Sequence, residues 1–94
     1  MDLSKLDLQG IKLDLTNLRA VSFKHSLLSG ATFIQAAAIE ADFSHAKMES
    51  AVFHGTNLQK TTFANAELKN ASFAEADLSG LMPCSAIYFL KSQI

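Results

Sequence analysis

Every fifth residue from Leu3 onward is apolar. The series runs Leu3, Leu8, Leu13, Leu18, Phe23, Leu28, Phe33, Ala38, Phe43, Met48, Phe53, Leu58, Phe63, Leu68, Phe73 and Leu78, sixteen positions without insertion or deletion. The chain is 49% apolar, and chance would give such a run on the order of once in 10^4 to 10^5 trials even with a choice of five frames. Two residues before each centre from Phe23 onward lies a second set, and eight of its twelve members are alanine. A period of five fits neither a helix, whose faces recur at 3.6, nor an isolated strand, which recurs at 2. The small and the large residue of each five stand two apart and point to one side of a short extended segment, while the other three face outward. If the chain then turns a corner and repeats, successive coils stack at ~4.8 Å and their backbone groups pair with the coil above or below.

The number of corners follows from a second period. Phe occupies 23, 33, 43, 53, 63 and 73, with Leu, Met or Ala between. A three-sided coil would scramble this alternation, whereas a coil with an even number of sides stacks Phe on Phe, so four sides are preferred. The repeats Ala41-Asp42-Phe43-Ser44-His45, Thr56-Asn57-Leu58-Gln59-Lys60 and Ala76-Asp77-Leu78-Ser79-Gly80 follow A-[D/N]-L-x-x. On these residues the chain resembles the pentapeptide-repeat proteins over residues 1–80. The resemblance implies an all-β fold, a right-handed quadrilateral β-helix of about four coils with twenty residues in each. Leu27, Ala37 and Val52 depart from the pattern, since the family favours a polar residue there.

Two regions fall outside the regular pattern. Met1, Leu6, Ile11 and Thr16 are large where every later coil is small, and they are read as a hydrophobic plug over the N-terminal end, the alternative being an upstream domain that covers it. Pro83 cannot donate to a coil-to-coil ladder, so residues 81–94 are expected to form a short cap. Ile87, Leu90 and Ile94 fall near one helical face after Ser85, which favours a helix, although Tyr88 also keeps the repeat frame and allows a final half coil. Tyr88, Phe89 and Leu90 are candidates to cover the core or to meet a second subunit. Within the fourth-side series, Ala38 interrupts Leu18, Leu58 and Leu78. It is expected to face the core at a narrowed site, with a void or an inward bulge of Ile39 as the alternatives.

The chemistry-bearing residues do not assemble a reaction. There is no Gly-rich phosphate loop, paired cysteine, H-E-x-x-H or Ser-His-Asp spacing, so no catalytic residue, cofactor or metal is expected. His25 and His45, twenty residues apart, stack on one corner with Lys5 and Asn65 in the same column, and a solvated corner outweighs a metal site, which wants three or four protein ligands. His54 lies on another side, and Cys84 has no basic neighbour to activate it. The free thiol fits a reducing, cytoplasmic compartment. The longest uncharged stretch, His25 to Ile39, is too short for a bilayer, which takes ~20 apolar residues.

Charge separates the binding classes. Coils one to three each balance to zero, and only the fourth, with Glu67, Glu75 and Asp77 against Lys69, reaches minus two. Interspersed signs make neither a phosphate mimic nor a basic groove, so no nucleic-acid partner is expected. The family resemblance allows a DNA mimic that regulates a type II topoisomerase, and that role is the alternative. The outward apolar residues favour a non-catalytic protein-interaction scaffold. Ile34, Ala37, Ile39 and Val52 gather around the corner between the third and fourth sides, with Leu27 on the second, as a candidate wall for a protein partner. A homodimer through an end coil, the C-terminal segment or this wall is a further possibility.

Overall fold

A computed structural model describes residues 1–81; the expected cap, apart from Leu81, and its residues Cys84, Tyr88, Phe89 and Leu90 lie outside the described residues. The chain winds as a right-handed quadrilateral β-helix. Parallel bridges join the second residue of each repeat to the one twenty later, from Asp2 with Ser22 to Asn57 with Asp77, so each coil has four sides of five residues. The period-ten alternation of Phe is thereby accounted for: centres on opposite sides are ten residues apart, and like stacks on like.

Each side has the same local construction. The central residue donates its N–H to the coil above, as Phe33 does to the Val52 carbonyl at 2.8 Å, and its own carbonyl closes the corner, as Phe33 O accepts from Ala36 N at 3.0 Å. The fifth residue of every repeat takes a positive φ, between 55° and 72°. All four glycines of the chain stand at this corner, yet twelve corners are occupied by other residues. Cooperative stacking above and below therefore holds a conformation that is costly for an L residue alone.

The second position gives Asp and Asn a local role. The Asp42 carboxylate accepts the Ser44 N–H at 2.8 Å, Asn57 accepts that of Gln59 at 3.2 Å, and Asp77 that of Ser79 at 3.0 Å. A short polar side chain thus satisfies an outward N–H that no neighbouring coil's backbone reaches. From the second coil onward the first position is mostly alanine because it lies inside; where Thr replaces it, the hydroxyl finds a backbone carbonyl, with Thr56 Oγ1 donating to Phe33 O of the preceding coil at 2.6 Å and Thr61 Oγ1 to Leu58 O of the repeat just before it at 2.8 Å.

Inside, Phe23, Phe43 and Phe63 form one column and Phe33, Phe53 and Phe73 the opposite one, with every ring buried. Within a column the rings stack 4.7 to 5.0 Å apart. The remaining two sides supply Leu28, Met48 and Leu68 against Leu18, Ala38 and Leu58, all buried. Ala38 does face the core. Its neighbours keep register, with Ala37 bridged to both Asn17 and Asn57, and Ile39 stays outward and half-buried. The inward bulge therefore does not form.

The first coil corrects the expected plug. Met1 is 86% exposed and Leu6 42%, so neither folds over the end. Ile11 does pack against the core, but together with the regular centres Leu3, Leu8 and Leu13. The half-buried Thr16 uses its hydroxyl on the Leu13 carbonyl.

Candidate interaction wall

The corner between the third and fourth sides carries the predicted wall. Ile34 is exposed beside it, and Val52 and Ala37 are half-buried on the two sides that meet there, whereas Ile39, also half-buried, lies at the other end of the fourth side beside the Glu40 corner, so the structure does not bring it to the same corner. Leu27, on the second side, is also half-buried and stands apart, bridged to Asp7 and Lys47. The flat geometry thus leaves Ile34 as the prominent apolar residue of the five. It also adds one that sequence reasoning missed. Leu15, at the same corner one coil earlier, is 76% exposed, and its N–H donates to the Ile34 carbonyl at 2.9 Å. Its position as a fifth residue was legible from the repeat frame, and corner residues project from the helix.

The departures from the polar second position have a backbone consequence. The side chains of Val52 and Ala37 cannot accept a hydrogen bond, and the outward N–H groups of His54 and Ile39 meet no acceptor among the described residues. Ile34 solves the same problem differently: its N–H is taken by the carboxylate of Asp14, one coil below, at 2.9 Å. The hydroxyl of Thr32, which occupies the capping position for Ile34, is left buried without a partner. The wall therefore combines apolar side chains with unengaged backbone donors.

Next to it the surface dips. Ile34, Gln35, His54, Gly55, Ala74 and Glu75 line a recess of about 150 Å³. The His54 ring is held across its edge, with Nε2 2.6 Å from Ser72 Oγ. On the far corner His25 and His45 stack with centroids 4.6 Å apart and planes 10° apart, as the twenty-residue spacing implies. Both are exposed, and among the described residues no group of three His, Cys, Asp or Glu side chains is close enough to hold a metal ion. Two acids are perturbed. Hydrogen bonds from Ser4 hold Asp2 below the usual carboxylate range, and those from Gln59 and then Ser79 do the same for Asp77. No helix among the described residues is long and apolar enough to cross a membrane.

Among solved structures, the chain is similar to HetL, a pentapeptide repeat protein involved in heterocyst differentiation regulation from the cyanobacterium Nostoc sp. strain PCC 7120. The two are 30% identical with a TM-score of 0.59, over 85% of this chain and 39% of HetL. It is also similar, at 27% identity and a TM-score of 0.45, to a pentapeptide repeat protein of the Arabidopsis thaliana thylakoid lumen, over 98% of this chain and 75% of that one. Full-length QnrB1, a plasmid-mediated fluoroquinolone resistance protein, matches at 20% identity and a TM-score of 0.44 over 97% of this chain and 41% of its own. The chain thus spans about two fifths of the length of HetL and of QnrB1. No curated protein matches the sequence significantly. The family model for pentapeptide repeats matches eight copies across residues 16–55 and 46–80, and the chain belongs to the pentapeptide-repeat family.

Proposed function

We propose that the protein is a non-catalytic scaffold that binds a protein partner through the corner wall around Ile34. The observation that carries this reading is the coincidence, at one corner, of Leu15 and Ile34 exposed on the surface with Val52 and Ala37 in place of polar capping residues. Each departure removes a hydrogen-bond acceptor from an outward face and puts hydrocarbon in its stead, which benefits only a surface that is covered in use. A rigid backbone presents the patch without the ordering cost that a loop would incur on binding. No cofactor is required for this role, and the lone Cys84 accords with a cytoplasmic setting. The DNA-mimic alternative needs a continuous anionic surface, against which the balanced charges of coils one to three weigh.

The test is the double variant Ile34→Glu with Val52→Lys. It places charges in the centre of a patch that binding would desolvate. Cooperative unfolding should be retained, while partner capture from an extract of the native host, or a dimer seen by sedimentation, should be lost. Unchanged capture together with unchanged sedimentation would dispose of the wall.

A further inference from the structure

We propose that the recess beside the wall binds one arginine side chain presented by the protein partner. The inference rests on the scaffold reading and names the chemistry of its contact. The recess arises at the corner column Leu15, Gln35, Gly55 and Glu75 because Gly55 carries no side chain where its three neighbours do. Gln35 leans into part of the gap, its Cγ lying 3.3 Å from where a Cβ on Gly55 would stand. What remains has hydrocarbon from Ile34 and Ala74, the bare Gly55 backbone, the imidazole of His54 and the amide of Gln35. Glu75 supplies the single carboxylate among the six lining residues.

That set of surfaces fits an arginine better than its competitors. Its aliphatic stem covers Ile34 and Ala74, and its planar guanidinium lies along the His54 imidazole while donating in parallel to the Glu75 carboxylate. A lysine ammonium meets the same charge but matches none of the planar surface. An acidic side chain is repelled, and an apolar one leaves the carboxylate facing hydrocarbon. The Ser72 contact fixes the His54 ring before anything binds, so little order remains to be imposed.

The experiment titrates the isotopically labelled full chain with the peptide acetyl-Gly-Arg-Gly-amide, followed by two-dimensional amide NMR. Its citrulline counterpart keeps the shape without the charge, and its glutamate counterpart reverses the charge. The arginine peptide should give saturable shifts at the amides of Gln35, Gly55 and Glu75 in the millimolar range, with neither counterpart saturating. Glu75→Gln should weaken binding about fivefold, the equivalent of about 1 kcal/mol for one partly exposed ion pair. Gly55→Asn should abolish it by filling the recess, and it should fold, since Asn65 and Asn70 already occupy this corner position at φ 58° and 61°. If it does not fold, Gly55→Ser serves, because Ser50 holds the same conformation at φ 61°. Absence of saturable shifts at these amides, equal binding of the citrulline peptide, or an unaffected Glu75→Gln variant overturns the proposal. Because the titration needs no native partner, its outcome is separate from that of the wall variant.

Discussion

The rings of Phe43 and Phe53 stand at 88° to each other with their centroids 5.7 Å apart. They belong to opposite sides of the coil and are offset by half a turn, and the same perpendicular contact recurs from Phe23 to Phe73 at 5.7 to 6.0 Å. Each Phe therefore lies parallel to rings in its own column and perpendicular to rings of the other. Both are favourable aromatic geometries, and the two columns interlock into one continuous core.

Phe53, like Phe43, is held by four other rings: it touches Phe33 and Phe73 in its own column and Phe43 and Phe63 across the core. Phe53→Ala should cost about 3 to 5 kcal/mol. Chemical denaturation measures it, and a loss below about 1 kcal/mol would contradict the stacked core.

Ala38 fills less volume on the fourth side than Leu18 or Leu58 does. The register places Met48 ten residues on, on the opposed side, and Met is the residue best able to extend into an irregular gap. Ala38→Leu should therefore overpack the coil and lower the thermal midpoint, by a strain of about 1 to 3 kcal/mol. A clearly higher midpoint would reveal an unfilled void instead.

Leu15 combines two unfavourable features, a φ of 60° and 76% exposure. Asn tolerates the left-handed conformation better and exposes no hydrocarbon, so Leu15→Asn should stabilise the fold by about 0.5 to 1 kcal/mol. Equilibrium unfolding in urea decides it. A destabilised variant would mean that the Leu15 side chain packs in solution. If Leu15 belongs to the interaction wall, the same variant should weaken partner capture while the protein itself becomes more stable.

Asp77 is held below the usual carboxylate range by Gln59, whose Nε2 donates to it at 2.7 Å, and by Ser79. A carboxyl whose pKa is lower in the folded state contributes stability that is present above its unfolded value, ~3.9, and is lost as pH falls through the folded value. Between these limits the wild-type fold should weaken with acid more steeply than Asp77→Asn does. Parallel acid-unfolding curves for the two proteins would show that these hydrogen bonds contribute nothing.

Much of this architecture can be read from particular residues. The unbroken series Leu3 to Leu78 is enough to reveal the repeat, because an inward position must be apolar on every side. The spacing of Phe23, Phe33 and Phe43 is enough to show an even-sided coil, because stacked aromatics favour their own kind. The twenty-residue separation of His25 and His45 places them in one column, and the structure stacks them there. Leu15 shows where such reading stops. Its place in the five marks it as outward, but its exposure depends on how far a corner projects beyond the flat sides.

The sequence by itself determined the repeat, the side each residue faces and the column in which it stands, since these depend only on position counted by five and by twenty. Tertiary structure alone decided how full each position is. Met1 and Leu6 turn outward although both are apolar, Val52 and Ile39 are half covered although both point outward, and Gly55 opens a recess although it is one of four corner glycines. The physical reason is that burial in a stacked coil is set by the neighbours twenty residues away and by the angle of the corner. A residue's own hydrophobicity tells which environment it prefers, and only the packed coils determine which one it receives.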